Sequence, residues 1–258
     1  MNSRQKLGMA IFLLTVCWCV SAQQNSLYEQ RVEHAVPDQE ALAHSAEKIR
    51  EHKDVKIQEK PIIQAFHKQL GELETAPKTF CRTCHGPLPH KKQLRTRTFN
   101  NMHVRFIACE TCHFRPKDQS FAYRWFDYEL DQTVDGKGLF RVTQKIDNAK
   151  QRPNNPKIAP LHLGQRVFAL KDEAFAKSIA EQWQKADDPA KVKLRAKIHW
   201  PLEKKGPACH DCHDEKKSLF DLSALGATAE EKQAMVKHVI PQFFRRYQKD
   251  EQKITIRD

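Results

Sequence analysis

The sequence has no cysteine to spare. Of its eight cysteines, Cys17 and Cys19 sit in an apolar N-terminal segment and the other six fall in three short clusters, so none is left for a structural disulfide. Methionine is scarce as well: beyond the N-terminal segment only Met102 and Met235 remain. Long apolar runs are missing. Past the first twenty-odd residues, nothing approaches the roughly 20 apolar residues of a membrane-spanning helix. With 29% charged residues and a mean hydropathy of −0.72, the chain is polar for its length and would bury little core unaided. A formal charge of +12 raises the question of nucleic acid. The arginines, however, form no recognisable nucleic-acid module.

The three cysteine clusters share one pattern, C-x-x-C-H. They read Cys81-Arg82-Thr83-Cys84-His85, Cys109-Glu110-Thr111-Cys112-His113 and Cys209-His210-Asp211-Cys212-His213. This is the attachment signature of a c-type haem. Two thiols add across the vinyl groups of one porphyrin, the two intervening residues let both sulfurs reach the same ring edge, and the adjoining histidine becomes an axial ligand of the iron. Paired zinc knuckles would leave one of three half-sites over, and a thioredoxin-like dithiol needs a βαβ context that is missing around each site. The motifs therefore predict three covalently held haems c, attached at Cys81, Cys84, Cys109, Cys112, Cys209 and Cys212, with His85, His113 and His213 as metal ligands.

The N-terminus has the form of a secretory signal peptide. Arg4 and Lys6 make a basic start, residues 7–20 are apolar, and Val20-Ser21-Ala22 is a small-residue cleavage site. Export suits covalent haem, which is installed outside the cytoplasmic membrane. The expected location is the periplasm, with the mature protein soluble or loosely peripheral.

What fills the second axial position decides between a carrier and an enzyme. A second histidine saturates the iron, whereas a missing ligand leaves a site for a small molecule. The sequence holds thirteen histidines, three already used by the motifs. His67 lies fourteen residues before Cys81, His103 six before Cys109 and His199 ten before Cys209. These are the candidate distal metal ligands, with His90 and His162 in reserve, and a histidine ahead of one motif can serve a neighbouring haem instead. His34, His44 and His52 read as surface residues of a charged arm, His210 as a variable motif position and His238 as a packing residue.

Along the chain, residues 1–22 read as the signal peptide and 23–60 as a charged helical arm, a lid or a mobile segment, with a helix opening after Pro37. Residues 61–122 form a two-haem region, 123–200 an insert, and 201–258 the third haem with a C-terminal helix. In the insert, the aromatic alternation from Tyr123 to Leu130 predicts a strand. Asp135-Gly136 is a turn signal, with a return over Leu139–Thr143. Phe175, Ile179 and Trp183, four apart, predict one face of a helix over Asp172–Lys185. Thr228-Ala229-Glu230-Glu231 has the form of a capping box, and Pro241 should kink or end the helix that follows. The expected fold class is mostly α and irregular, organised by haem, with little regular sheet beyond one hairpin. Trp125, Trp200, Phe106, Phe114 and Phe220 are placed by sequence to pack on porphyrin.

From about His67 to His113, and above all over Asn101-Met102-His103-Val104-Arg105-Phe106-Ile107-Ala108-Cys109 and the motif it leads into, the chain resembles the class III (c3/c7) multihaem cytochromes c. The resemblance implies a low-potential electron carrier whose irons are held by two histidines each, with His67 and His103 among the distal ligands. It covers about a quarter of the chain, and the long interval before the third motif departs from it. The function expected is electron transfer between redox partner proteins in a respiratory chain, as a shuttle or as the subunit of a membrane-associated complex, with no catalytic residue of its own. The basic chain suits a partner that is acidic at its docking face. The alternative is a reductase of a nitrogen or sulfur oxyanion with one open haem.

Overall fold

A computed structural model describes residues 25–52, 78–86, 88–90, 94–140 and 156–246. The signal-peptide segment, His67 and most of the expected strand Leu139–Thr143 lie outside these residues. Helices and irregular chain predominate, with one small sheet.

The chain enters through α1, Leu27–Glu33, which Ser26 caps by accepting the backbone N–H of Glu29, and α2, Gln39–His52. This is the segment expected to be a lid or mobile arm. Its described residues, 25–52, are docked, as a lid would be and a mobile arm would not. Tyr28 and Val32 of α1 are buried, and α2 packs along α6, Asp188–His199. Ser45 of α2, 1% exposed, accepts a hydrogen bond from Arg195 of α6 at 3.0 Å. Asp187 caps α6 by accepting from Ala190 N–H, and a proline in the first turn pre-sets its φ.

The insert builds a four-stranded antiparallel sheet in the order β2-β1-β3-β4. Its strands are β1 (Ala122–Asp127), β2 (Gln132–Thr133), β3 (Lys157–His162) and β4 (Gln165–Arg166). The aromatic run from Tyr123 is a strand as expected, but its partners are not. Phe126 pairs with Thr133 on one side and Lys157 on the other. The return expected after Asp135-Gly136 does not appear among the described residues: Leu139 and Phe140 lie in a turn, and β1 pairs mainly with β3. The tight two-residue hairpin joins β3 to β4 through Leu163 and Gly164, both at positive φ (49° and 80°). That is the conformation whose twist matches flanking strands; Leu163 adopts it at 89% exposure.

The pleat divides the core. Tyr123, Trp125 and Ile158 point to one face and meet Phe220, Leu222 and Leu225. Phe126, Ala159 and Leu161 point to the other, where Tyr28, Phe80, Phe114, Phe168 and Ile198 gather. A sheet buried on both faces can hold two apolar clusters in a polar chain. Phe114, Trp125 and Phe220, expected against porphyrin, are core residues of these clusters. Within the first of these clusters, Trp125 ties the sheet to the C-terminal part of the chain by donating Nε1–H to Leu225 C=O at 2.9 Å.

Helix α5 spans Ala174–Lys185 with Ile179 buried. Phe175 packs on the core beside it. The expected capping box is present: Thr228 and Glu231 exchange bonds at the start of α8, Ala229–Val236. Pro241 does not end this helix. The break falls at Lys237 and His238, and Pro241 sits in the first turn of α9, Val239–Arg246, where its missing N–H costs nothing. No helix among the described residues is long and apolar enough to cross a membrane.

Candidate functional site

Each C-x-x-C-H motif folds as a single helical turn. The first is a 3-10 turn, Phe80–Thr83. The second is α4, Cys109–His113, and the third α7, Cys209–Cys212; the remaining helix, α3, covers Leu94–His103. The local sequence explains the turn. Ala108 and Ala208 are extended and start it, and the histidine N–H bonds the carbonyl of the first cysteine, His85 to Cys81 at 3.0 Å and His213 to Cys209 at 2.9 Å. Residues i, i+3 and i+4 of a turn share a face, so both sulfurs and the imidazole leave the backbone on one side.

Opposite each motif histidine stands a second imidazole. His85 faces His199 with ring centroids 6.0 Å apart, His113 faces His90 at 6.3 Å, and His213 faces His103 at 6.1 Å. The His90–His113 rings are stacked at 26°, while the other two pairs are near-perpendicular at 75° and 74°.

The pairs do not follow sequence order. His199, ten residues ahead of the third motif, faces the first. His103, six ahead of the second, faces the third. His90, held in reserve at the sequence level, faces the second. His162 pairs with no motif histidine; it bonds Ser120 C=O at 3.2 Å and rests on Phe121. His210 turns toward Asp211 at 3.3 Å, and His238 accepts from Ile240 N–H.

The tautomers are fixed from behind. His199 donates Nδ1–H to Arg195 C=O at 2.9 Å, His103 to Phe99 C=O at 2.7 Å, His113 to Glu203 C=O at 2.9 Å and His213 to Met235 C=O at 2.8 Å. His90 is clamped by Asn101, whose side-chain oxygen accepts both its Nδ1–H and its backbone N–H and whose amide donates to its carbonyl. An imidazole that has spent Nδ1–H on an oxygen carries its lone pair on Nε2, which is how a hydrogen bond behind the ring orients a metal-binding histidine. Burial reinforces this by disfavouring the charged ring: His90 and His103 are lowered, and His199 falls to about 4.

The spacing fits one metal ion between each pair. Two imidazoles bound through Nε2 on opposite sides of an ion, at about 2 Å each, bring their centroids to roughly 6.3 Å. Among the described residues no three or more His, Cys, Asp or Glu side chains gather as a metal site. Each pair would supply two imidazole nitrogens to a metal whose remaining ligands come from a bound cofactor.

The motifs are also in contact with one another. Cys81 hydrogen-bonds the Cys109 thiol, which lowers the pKa of Cys109 and raises that of Cys81. Glu110 Oε1 lies 3.3 Å from the Cys81 sulfur and competes for its one proton. Burial pushes Cys112 and Cys212 up to about 12, and each feels a neighbouring thiol. For Cys212 that neighbour is Cys112. The second motif thus touches the first and lies close enough to the third for the Cys212 thiol to feel the charge of Cys112. Cys84 and Cys209, one from each outer motif, are exposed. In the first two motifs, Arg82 Nε, Thr83 Oγ1 and Glu110 Oε2 are buried without a partner.

The sequence pointed to His103 and His199 but not to their pairings. The clamp of Asn101 on His90 carried no sequence signal beyond the short Pro87-Leu88-Pro89-His90 segment. No protein family, curated protein or solved structure matches the chain.

Proposed function

We propose that this protein is an exported trihaem c-type cytochrome that passes electrons between redox partners, as a shuttle or as a subunit of a respiratory complex. The observation that carries the reading is the threefold repetition of one arrangement: a C-x-x-C-H turn whose histidine has a second imidazole, held at Nδ1 by a carbonyl oxygen of the backbone or of Asn101, with centroids 6.0, 6.3 and 6.1 Å apart. Haem iron supplies reversible one-electron exchange. The chain's own residues attach the porphyrin through Cys81, Cys84, Cys109, Cys112, Cys209 and Cys212, offer imidazole from both sides, and hold those rings by hydrogen bonds to the backbone and to Asn101.

A further fit lies in the exposed apolar side chains. Leu88, Met102 and Trp200 are exposed at 47, 47 and 43%, and each stands within two residues of a partner histidine, His90, His103 or His199. A porphyrin plate beside each imidazole would cover such surface. Two histidines at every motif favour saturated irons over an open substrate site, so the carrier is preferred to the oxyanion reductase.

The test is haem quantification with optical and low-temperature EPR spectra of the ferric protein. Three haems per chain, all low-spin and inert to cyanide, nitrite and sulfite, are expected. A high-spin fraction near one third that shifts with one of these ligands would overturn the carrier in favour of the reductase.

A further inference from the structure

We propose that Tyr28 is a positioning residue that holds His199 in its orientation opposite His85; the inference rests on the trihaem reading. Tyr28 lies in the segment that reads from sequence as a charged arm remote from the chemistry. It is 3% exposed, and its backbone N–H is pinned to Val167 C=O at 2.9 Å. The ring sits among Phe80, Phe114 and Phe175 at centroid distances of 5.8, 5.6 and 6.2 Å. Phe80 immediately precedes Cys81, and Phe114 immediately follows His113. One side chain therefore touches the base of the first motif and the end of the second.

The hydroxyl reaches a third place. It donates to the carbonyl of Ile198 at 2.6 Å, the residue before His199. The last carbonyls of a helix have no partner within it, and His199 is the last residue of α6. Neighbouring carbonyls of this end are bonded by Trp200 and Leu202 N–H, and Tyr28 serves Ile198. The last turn of α6 is thereby fixed to the same ring that packs on the first motif, so both sides of the His85–His199 pair are referred to one residue. Ser45 adds a second hold through Arg195, whose carbonyl accepts His199 Nδ1–H.

Packing alone does not need the hydroxyl, because phenylalanine would fill the same space. Its removal leaves the three aromatic contacts intact and frees Ile198 C=O, which loosens the turn that carries His199. The angle between two axial imidazoles governs the anisotropy of a low-spin ferric signal, and the hydrogen bonding and orientation of a ligand tune the potential of its metal.

The experiment is Tyr28→Phe in the full haem-loaded protein, read by ferric EPR and by redox titration, beside His199→Ala. The expected result is three haems per chain, a thermal midpoint close to that of the parent, and a shift confined to the one low-spin signal that His199→Ala abolishes. Three unmoved signals, or three that move together, would overturn the inference while leaving the trihaem reading intact. Failure of Tyr28→Phe to accumulate would also overturn it, by assigning the hydroxyl to folding. Fewer than three haems in the parent protein would overturn the functional reading, and the inference with it.

Discussion

His199 ends α6 with its imidazole 6.0 Å from that of His85, although the two lie 114 positions apart (199 − 85) and His199 stands just upstream of a different motif. Single replacement of each partner histidine therefore has a distinct expected outcome. If the chain carries three haems as proposed, His199→Ala, His90→Ala and His103→Ala should each convert one of them to a high-spin, ligand-binding form, seen in EPR and in the response to cyanide. His162→Ala should leave all three low-spin. A variant of the first group that keeps every haem low-spin would remove that histidine from the ligand set.

Asn101 is the lever on the second site. It makes three hydrogen bonds to His90 at 3.1–3.2 Å, and the segment that carries His90 belongs to no helix or strand. Asn101→Ala should therefore act on His90 more than on overall stability. The expected result is a weakened axial bond at one haem, with a high-spin fraction that grows on warming. An Asn101→Ala protein with the parent's spectra at all temperatures would show that the loop holds His90 without it.

What could be read in advance follows the strength of the local signal. The motifs, the strand at Tyr123, the helix around Ile179 and the cap at Thr228 each rest on neighbours within a few positions, and all were legible. Strand β3 was not, because Lys157-Ile158-Ala159-Pro160-Leu161-His162 lacks alternation and contains a proline, which argues against a central strand. Lys157 is 2% exposed and bonds Arg105 C=O, a long-range contact with no sequence mark. Helix α6 begins on a sound signal, Asp187 ahead of a proline, yet buries little beyond Ala196 and Ile198, so its stripe is faint. The histidine pairings were illegible because they depend on how the sheet brings distant segments together.

Gly136 tests how closely the chain packs between Trp125 of the sheet and the turn at Leu225. A Cβ there would collide with the carbonyl of Leu225 and the ring of Trp125. Neither can yield easily, since the indole already donates to that carbonyl. Gly136→Ala should destabilise the protein by roughly 1–3 kcal/mol, as overpacking does. Gly138→Ala, at a positive φ of 81° but in open space, should cost only about 1 kcal/mol. Denaturant melts of the two variants compare the effects directly, and equal midpoints would contradict the close approach.

The exposed lysine pair beside the third motif should set partner association rather than the properties of a haem held there. Lys216 and Lys217 are exposed, and their backbone N–H groups bond Asp214 Oδ1 at 2.8 and 3.0 Å, which holds this turn directly after His213. Exposed charges are screened, with a Debye length of about 10 Å at 0.1 M salt and about 3 Å at 1 M. Lys216→Glu with Lys217→Glu should therefore leave the optical spectra unchanged. It should lower the second-order rate of electron exchange with an acidic redox protein by roughly tenfold at low ionic strength, where steering operates. The difference should vanish at high salt, because charge at the rim of an interface acts on the encounter rate. Stopped-flow rates across a salt series decide the matter: a deficit that persists undiminished at 1 M would mean that the lysines act through the site's structure, and no deficit at any salt would move the docking face away from the third motif.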